Sequence, residues 1–292
     1  MNFTQFAQAH GLIIRDVVYG KWVRVPTVDH PKKRNGAYKA MGDVGFVQNH
    51  ATMQEVAVWR PERFDEIRIP AKSAAEIEAS KRAERERQIR AIKSMRAYWD
   101  GLKPLREWHP YLDRKQLSFL GCHDLRVDGD TMVIPLYRGP ALMSLQTITM
   151  EGEKRYRAGC PIKGNSYILQ RRGSVLTALV EGFATGLAIY QSMPMASVVV
   201  CFDAGNMVAV SKELKVRGLC VVCADNDWRS AEKFSRNTGI EKGQEAADAI
   251  GCGMAFPKGI EGSDWADALI EWGDAGPGKI RHEVMKGARP VF

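Results

Sequence analysis

VLTALVEG (residues 175–182), FATGLAIYQSM (183–193), ASVVVCF (196–202) and GLCVVCADND (218–227) follow one another in the second half of the chain. Short Val-rich runs separated by helical patterns predict a parallel sheet with helices on both faces, because strands buried on both sides lose polar/apolar alternation. In such sheets ligand-binding groups collect at the carboxyl ends of the strands. Glu181 ends the first run, and Asp225 and Asp227 end the last, so three acids are expected at one edge. Carboxylates crowded together repel one another unless a hard cation sits between them, and Mg²⁺ takes a few carboxylates plus water and phosphate oxygens. In extended chain residues i and i+2 project to the same side, which suits Asp-X-Asp. That pair alone is a weak signal and reads more readily as a solvated turn. A Glu-Gly at one strand end, Asp-X-Asp about forty residues later and a further acidic pair downstream make a far more specific set.

The segments VEGFATGLAI, FDAGNM, ADND and SDWADAL together resemble a TOPRIM domain, the metal-binding module of primases and topoisomerases. The similarity is strongest to phage- and plasmid-encoded primases and runs from about residue 173 onward. It implies that Glu181, Asp225 and Asp227 hold catalytic Mg²⁺ (or Mn²⁺), with Asp264 completing the shell. Acids also favour a helix N-terminus for dipole reasons, so Asp264 and Asp267 have a second reading as cap residues. Many bacterial primases carry Asp four residues after the Glu, where this chain has Thr185, which leaves one or two metals open.

Charge is distributed unevenly. Residues 1–97 carry 18 basic and 11 acidic side chains, residues 98–173 carry 12 and 8, and residues 174–292 carry 12 and 15. A basic front half beside an acidic site suits a protein that holds a polyanion while metals offset the site's own charge. No apolar run approaches the roughly 18–20 residues of a bilayer span, and residues 1–10 lack the pattern of a secretion signal. A cytoplasmic protein without a membrane partner is expected. Cys220 and Cys223 form a C-x-x-C inside a buried strand, with no second pair and no suitably spaced histidine, so they read as core thiols and no zinc is expected.

Four stretches are expected: residues 1–70, 71–100, 101–173 and 174–292. The first reads as a small β-rich module after a short helix at 3–10, with strands at 21–28 and 43–50 and a turn at Asn35–Gly36. Its outline resembles the N-terminal zinc-ribbon module of primases, yet it has no cysteine. Lys32, Lys33 and Arg34 beside Trp22 and Tyr38 are a mixture suited to single-stranded nucleic acid, where cations follow phosphates and rings stack on bases. Residues 71–100 read as one charged helical connector, capped by Ser73 with Glu76 three residues on. Residues 101–173 read as a basic α+β lobe, an antiparallel meander with turns at Asp128–Gly129 and Glu151–Gly152. By the resemblance, Lys154, Arg155, Arg157 and Lys163 line its nucleotide and template groove. Downstream, residues 207–216 and 230–250 read as helices, the first capped by Asn206, with a strand at 253–257 and a helix at 263–272.

The resemblance implies a DNA primase that starts RNA primers on single-stranded DNA from ribonucleoside triphosphates by phosphoryl transfer. No GxxxxGK[ST] sequence is present, so the replicative helicase is expected to be a separate protein. A TOPRIM-type nuclease would use the same carboxylates but leaves the basic lobe without a role. A catalytically weak single-strand-binding replication accessory is the non-enzymatic reading.

Overall fold

The computed structural model describes residues 1–61, 74–106, 108–119 and 121–292. The chain divides into two units, Met1–Ser80 and Lys81–Phe292. The expected boundary near residue 70 and the Ser73 cap lie outside the described residues.

The first unit opens with α1 (Phe3–Ala9), whose Asn2 cap accepts the Gln5 N–H at 2.8 Å while the Gln5 side chain accepts the Asn2 N–H at 3.1 Å. Four antiparallel strands follow in order: β1 (Trp22–Val25), β2 (Gly36–Met41), β3 (Val44–Asn49) and β4 (Ala57–Trp59). Phe3, Ala7, Leu12, Tyr38 and Val47 form the core. Asn35–Gly36 is not a turn, contrary to the sequence expectation. Gly36 begins β2, and a Cβ there would stand 2.8 Å from the Leu12 side chain, so the glycine serves close packing. The tight turn falls instead at Gly42, which has φ +45°.

The charged segment forms α2 (Ala74–Asp100), and the division between the units falls within it. Its last turns bury Met95 and Trp99 against Val133 and Leu145. The second unit continues with β5 (Lys103–Pro104), α3 (Pro110–Arg114), β6 (Arg126–Asp128), β7 (Thr131–Arg138), β8 (Ala141–Ile148) and β9 (Lys154–Tyr156). The five strands form the expected antiparallel meander. Both predicted turns occur, with Gly129 at φ +55° and Gly152 at φ +94°, a region open to glycine.

Then come β10 (Tyr167–Leu169), β11 (Leu176–Val180), α4 (Phe183–Ser192), β12 (Ala196–Val200), α5 (Ala204–Glu213), β13 (Gly218–Cys223), α6 (Trp228–Phe234), α7 (Thr238–Ile250), β14 (Gly253–Ala255), α8 (Trp265–Glu271), α9 (Gly276–Gly287) and β15 (Arg289–Val291). The sheet order is β10-β12-β11-β13-β14, with β15 also on β13. Strands β11 to β14 are parallel as expected, while β10 and β15 add antiparallel edges. Alternation along the strands feeds two cores. Ala178, Val180, Val198, Val200 and Cys223 pack with Ala184, Leu187, Leu269 and Ile280 from α4, α8 and α9. Leu179, Val199, Cys220 and Val222 pack on the other face with Met207 and Val210 of α5 and Ala246 and Ala247 of α7. The first core continues into Ile134, Leu136 and Ile148 of the meander, so residues 101–173 and 174–292 share one interior. Cys220 and Cys223 enter opposite cores and cannot grip one ion together.

The helix expected over 230–250 is two helices. The polar run after Phe234 breaks it, with Ser235 at φ +54°, and Asn237 caps α7 by accepting the Ile240 N–H at 3.1 Å. Among the described residues no helix is long and apolar enough to cross a membrane.

Candidate metal and nucleotide site

Because β11 and β13 are parallel neighbours, their carboxyl ends emerge side by side. Glu181 leaves β11 and Asp225 follows β13, and both line a cavity of about 210 Å³. Asp264, the cap of α8, lines the same cavity. Burial first, then the charges of Asp227 and Asp203, push the Glu181 carboxyl up to about 7, against the Ala204 N–H and Lys154. Burial and the charges of Glu181, Asp264 and Asp227 raise Asp225 well above the usual carboxylate range. Thr185, fully buried, opposes this by donating its hydroxyl to Asp225 Oδ1 at 3.2 Å. Gly239 of α7 closes the back of the site, where any Cβ would run into the Asp225 carbonyl.

Asp227 departs from expectation. The i, i+2 argument needs extended chain, but β13 ends at Cys223 and Asp227 already sits at the cap position of α6. Its Oδ2 accepts the Gly239 N–H at 3.1 Å, and it lines a neighbouring cavity of about 300 Å³ with Ser263 and Asp267. Its charge still reaches Glu181. Among the described residues no three His, Cys, Asp or Glu side chains are already drawn together as a metal cage. The donor set nonetheless fits a hard divalent cation: three carboxylates share one cavity, two of them are held high by burial and then by neighbouring carboxylates, and among the described residues Lys154 is the one cation lining it.

Of the four basic residues of the lobe, Lys154 alone lines the carboxylate cavity. Strand alternation turns Lys154 and Tyr156 into the carboxylate cavity and Arg155 away from it, where it pairs with Glu153 at 3.0 Å. Arg157 lies 4.7 Å from the Tyr98 ring centroid and lines a separate cavity of about 370 Å³, which Tyr156 also borders. Lys163 is exposed, and its carbonyl accepts from Arg138 at 2.6 Å.

Several site residues escaped sequence reading. Asp203, not Asn206, caps α5, accepting the Asn206 N–H at 2.7 Å. Asn206 is buried instead; its amide donates to the carbonyls of Cys201 (2.6 Å) and Asn165 (2.8 Å) and accepts the Gly164 N–H at 2.6 Å. The Tyr156 hydroxyl, which burial and the Asp203 and Glu181 charges push up to about 12, donates to the Phe202 carbonyl at 2.7 Å. Phe202 adopts φ +73°, which turns the chain sharply where β12 meets α5. Gln146, two residues before the end of β8, also lines the cavity. An Asp directly after a buried parallel strand was the available signal for Asp203; for Tyr156 it was its place between two arginines in a strand.

In the first unit Lys32, Lys33 and Arg34 are exposed, and Trp22 is 51% exposed with its ring centroid 6.3 Å from that of Phe46. Tyr38 does not join them. Its ring is in the core, 1% exposed, and its hydroxyl donates to the Asp16 carbonyl at 3.2 Å and accepts the Val18 N–H at 3.0 Å. Alternation in β2 turns it inward, so it offers no surface to stack on.

Residues 176–275, which hold the acids gathered at the carboxyl edge of the parallel sheet, match the family described as Toprim domain. The curated proteins it is similar to are described as DNA primases. The chain is 26% identical over 259 residues to DNA primase TraC of Escherichia coli, covering 82% of this chain and 24% of that protein. A second protein of the same name and organism is 27% identical over 167 residues, 53% of this chain and 11% of that one. The chain thus spans a quarter or less of the curated relatives it matches. Among solved structures, the primase fragment of the bacteriophage T7 primase-helicase protein aligns with a TM-score of 0.42 and 11% identity, over 62% of this chain and 78% of that one.

Proposed function

We propose that this chain is a DNA primase, making short RNA primers on single-stranded DNA by metal-dependent nucleotidyl transfer. The observation that carries the reading is the shared cavity of Glu181, Asp225 and Asp264, with Lys154 on its wall. Mg²⁺ or Mn²⁺ held there by Glu181, Asp225 and Asp264, with Asp227 beside them, would neutralise triphosphate charge and assist the departure of pyrophosphate. Lys154 supplies a further positive charge for phosphate oxygens, where several donors are needed to compete with water. Thr185 orients Asp225 through its hydroxyl, and Tyr156 seats the wall of the cavity on the end of β12. Lys32, Lys33, Arg34 and Trp22 are proposed to contact the single-stranded template, and Arg155, Arg157 and Lys163 to steer nucleic acid along the lobe. The helicase partner is proposed to be a separate protein.

The deciding experiment incubates the protein with single-stranded DNA, labelled ribonucleoside triphosphates and Mg²⁺, and sizes the products. New oligoribonucleotides are expected. Shortened template without them would move the assignment to a Toprim nuclease; binding without either would make it an accessory.

A further inference from the structure

Lys115, from the segment PYLDRKQLS, belongs to none of the roles given so far. It follows α3 as its C-terminal cap, and its ammonium lies 2.6 Å from Oδ1 of Asp267 on α8. The two residues are 152 positions apart, and their side chains are only 29% and 28% exposed, so this is a long-range pair in a sheltered place. The other Asp267 oxygen accepts the Ser263 N–H at 3.2 Å, and the Asp267 N–H donates to Asp264 Oδ1 at 2.8 Å. The Ser263 carbonyl accepts the Asn226 N–H at 2.7 Å, and the Trp265 indole donates to the Ala224 carbonyl at 3.2 Å. The start of α8 is therefore tied to the loop after β13 on one side and to α3 on the other.

That arrangement separates two acids that look equivalent in the sequence. Asp264 lines the cavity with Glu181 and Asp225, whereas Asp267 faces the neighbouring cavity and is neutralised by Lys115. Against the pull of burial, the Lys115 ammonium and the Ser263 N–H hold the Asp267 carboxyl below its usual range. It stays charged and paired, and the backbone that it anchors carries Asp264.

We propose that Lys115 is a positioning residue: by pinning Asp267 it fixes the first turn of α8 and aims the Asp264 carboxylate into the metal cavity. The proposal rests on the reading of that cavity as a divalent-cation site. It makes a prediction opposite in sign to simple electrostatics. An ammonium near a cation site repels the cation, so its removal by charge alone would tighten divalent binding. Loss of an anchor behind a ligand weakens binding, typically by about 10- to 100-fold when outer partners of metal ligands are removed.

The test is Mn²⁺ binding to the full chain without nucleotide, followed by the electron paramagnetic resonance signal of free Mn²⁺. Lys115→Met is expected to weaken Mn²⁺ binding about tenfold, and Lys115→Arg to restore most of it. Asp267→Asn should match Lys115→Met, and the double variant should be no worse than either alone, as members of one linkage are not additive. Thermal melting accompanies each variant; if Lys115→Met fails to fold, Asp267→Asn and Lys115→Gln give the same reading. Unchanged or tighter Mn²⁺ binding in folded Lys115→Met overturns the proposal, and a rise confined to the KM for nucleotide would make Lys115 a phosphate contact instead. Asp225→Asn serves as the separate control. If it binds Mn²⁺ like the wild type, the cavity is not the metal site, and the proposal falls with that reading whatever Lys115 does.

Discussion

Two carboxyl groups in this protein meet opposite treatment. Asp29, on the surface of the first unit, accepts the Asn49 amide at 3.1 Å and lies 2.8 Å from the His30 ring, and those bonds hold it down to about 2. Glu181, at the end of a buried strand, is pushed up to about 7 by burial and by acids around it. The first unit surrounds its carboxylate with donors; the parallel edge of the second surrounds its own with more carboxylates. Positive charge stabilises such a cluster, and a divalent ion supplies more of it than any single side chain can.

The sharpest way to break this contrast is at Asp225. Asp225→Asn should lower primer synthesis by about 100- to 1,000-fold, the scale of losing one preorganised electrostatic group, while the melting temperature stays the same or rises. Incorporation of labelled ribonucleotides and a thermal melt check both halves. Next, Mg²⁺ should stabilise the wild type, by about 2.7 kcal/mol at a hundredfold excess over its Kd. Glu181→Gln should lose most of that gain, and equal Mg²⁺ stabilisation of wild type and variant would erase the distinction between the two regions. In the first unit the ligand proposed above is a polyanion. Changing Lys32, Lys33 and Arg34 together to Ala should flatten the salt dependence of single-strand binding by about two in logarithmic slope, from about 0.7 per phosphate contact.

The smallest effect belongs to Asp29. Its folded pKa lies below the unfolded one, so its stabilisation is complete above the unfolded value and fades as pH falls from about 4 towards about 2. Hydrogen exchange of the β2 and β3 amides should show protection lost over that window in the wild type and a flatter profile in Asp29→Ala.

The alternation of Val-rich runs with helical segments was enough to place β11, β12 and β13 in parallel, because only strands buried on both faces read that way. The same logic put Glu181 and Asp225 at one edge. It misdirected Asp227, since the chain has left extended conformation two residues beyond Asp225 and enters α6. The run Lys154–Arg157 looked like a cluster, yet alternation sends neighbours to opposite faces, and only Lys154 reaches the carboxylates. Tyr38 shows the converse: a ring next to exposed cations in sequence is core once its strand is placed. Lys115 and Asp203 depend on partners brought together by topology, which local pattern does not encode.

Asn206 ties the loop before β10 to the end of β12 through one amide. Its three bonds clasp residues 164 and 165 to the last carbonyl of the β12 run, like a dowel through two boards. Exchange for Asp would replace its two donated bonds with two oxygen–oxygen repulsions, although the shape is the same. The loop that leads into β10 is therefore held at a set distance from the end of β12 by three bonds from a single side chain.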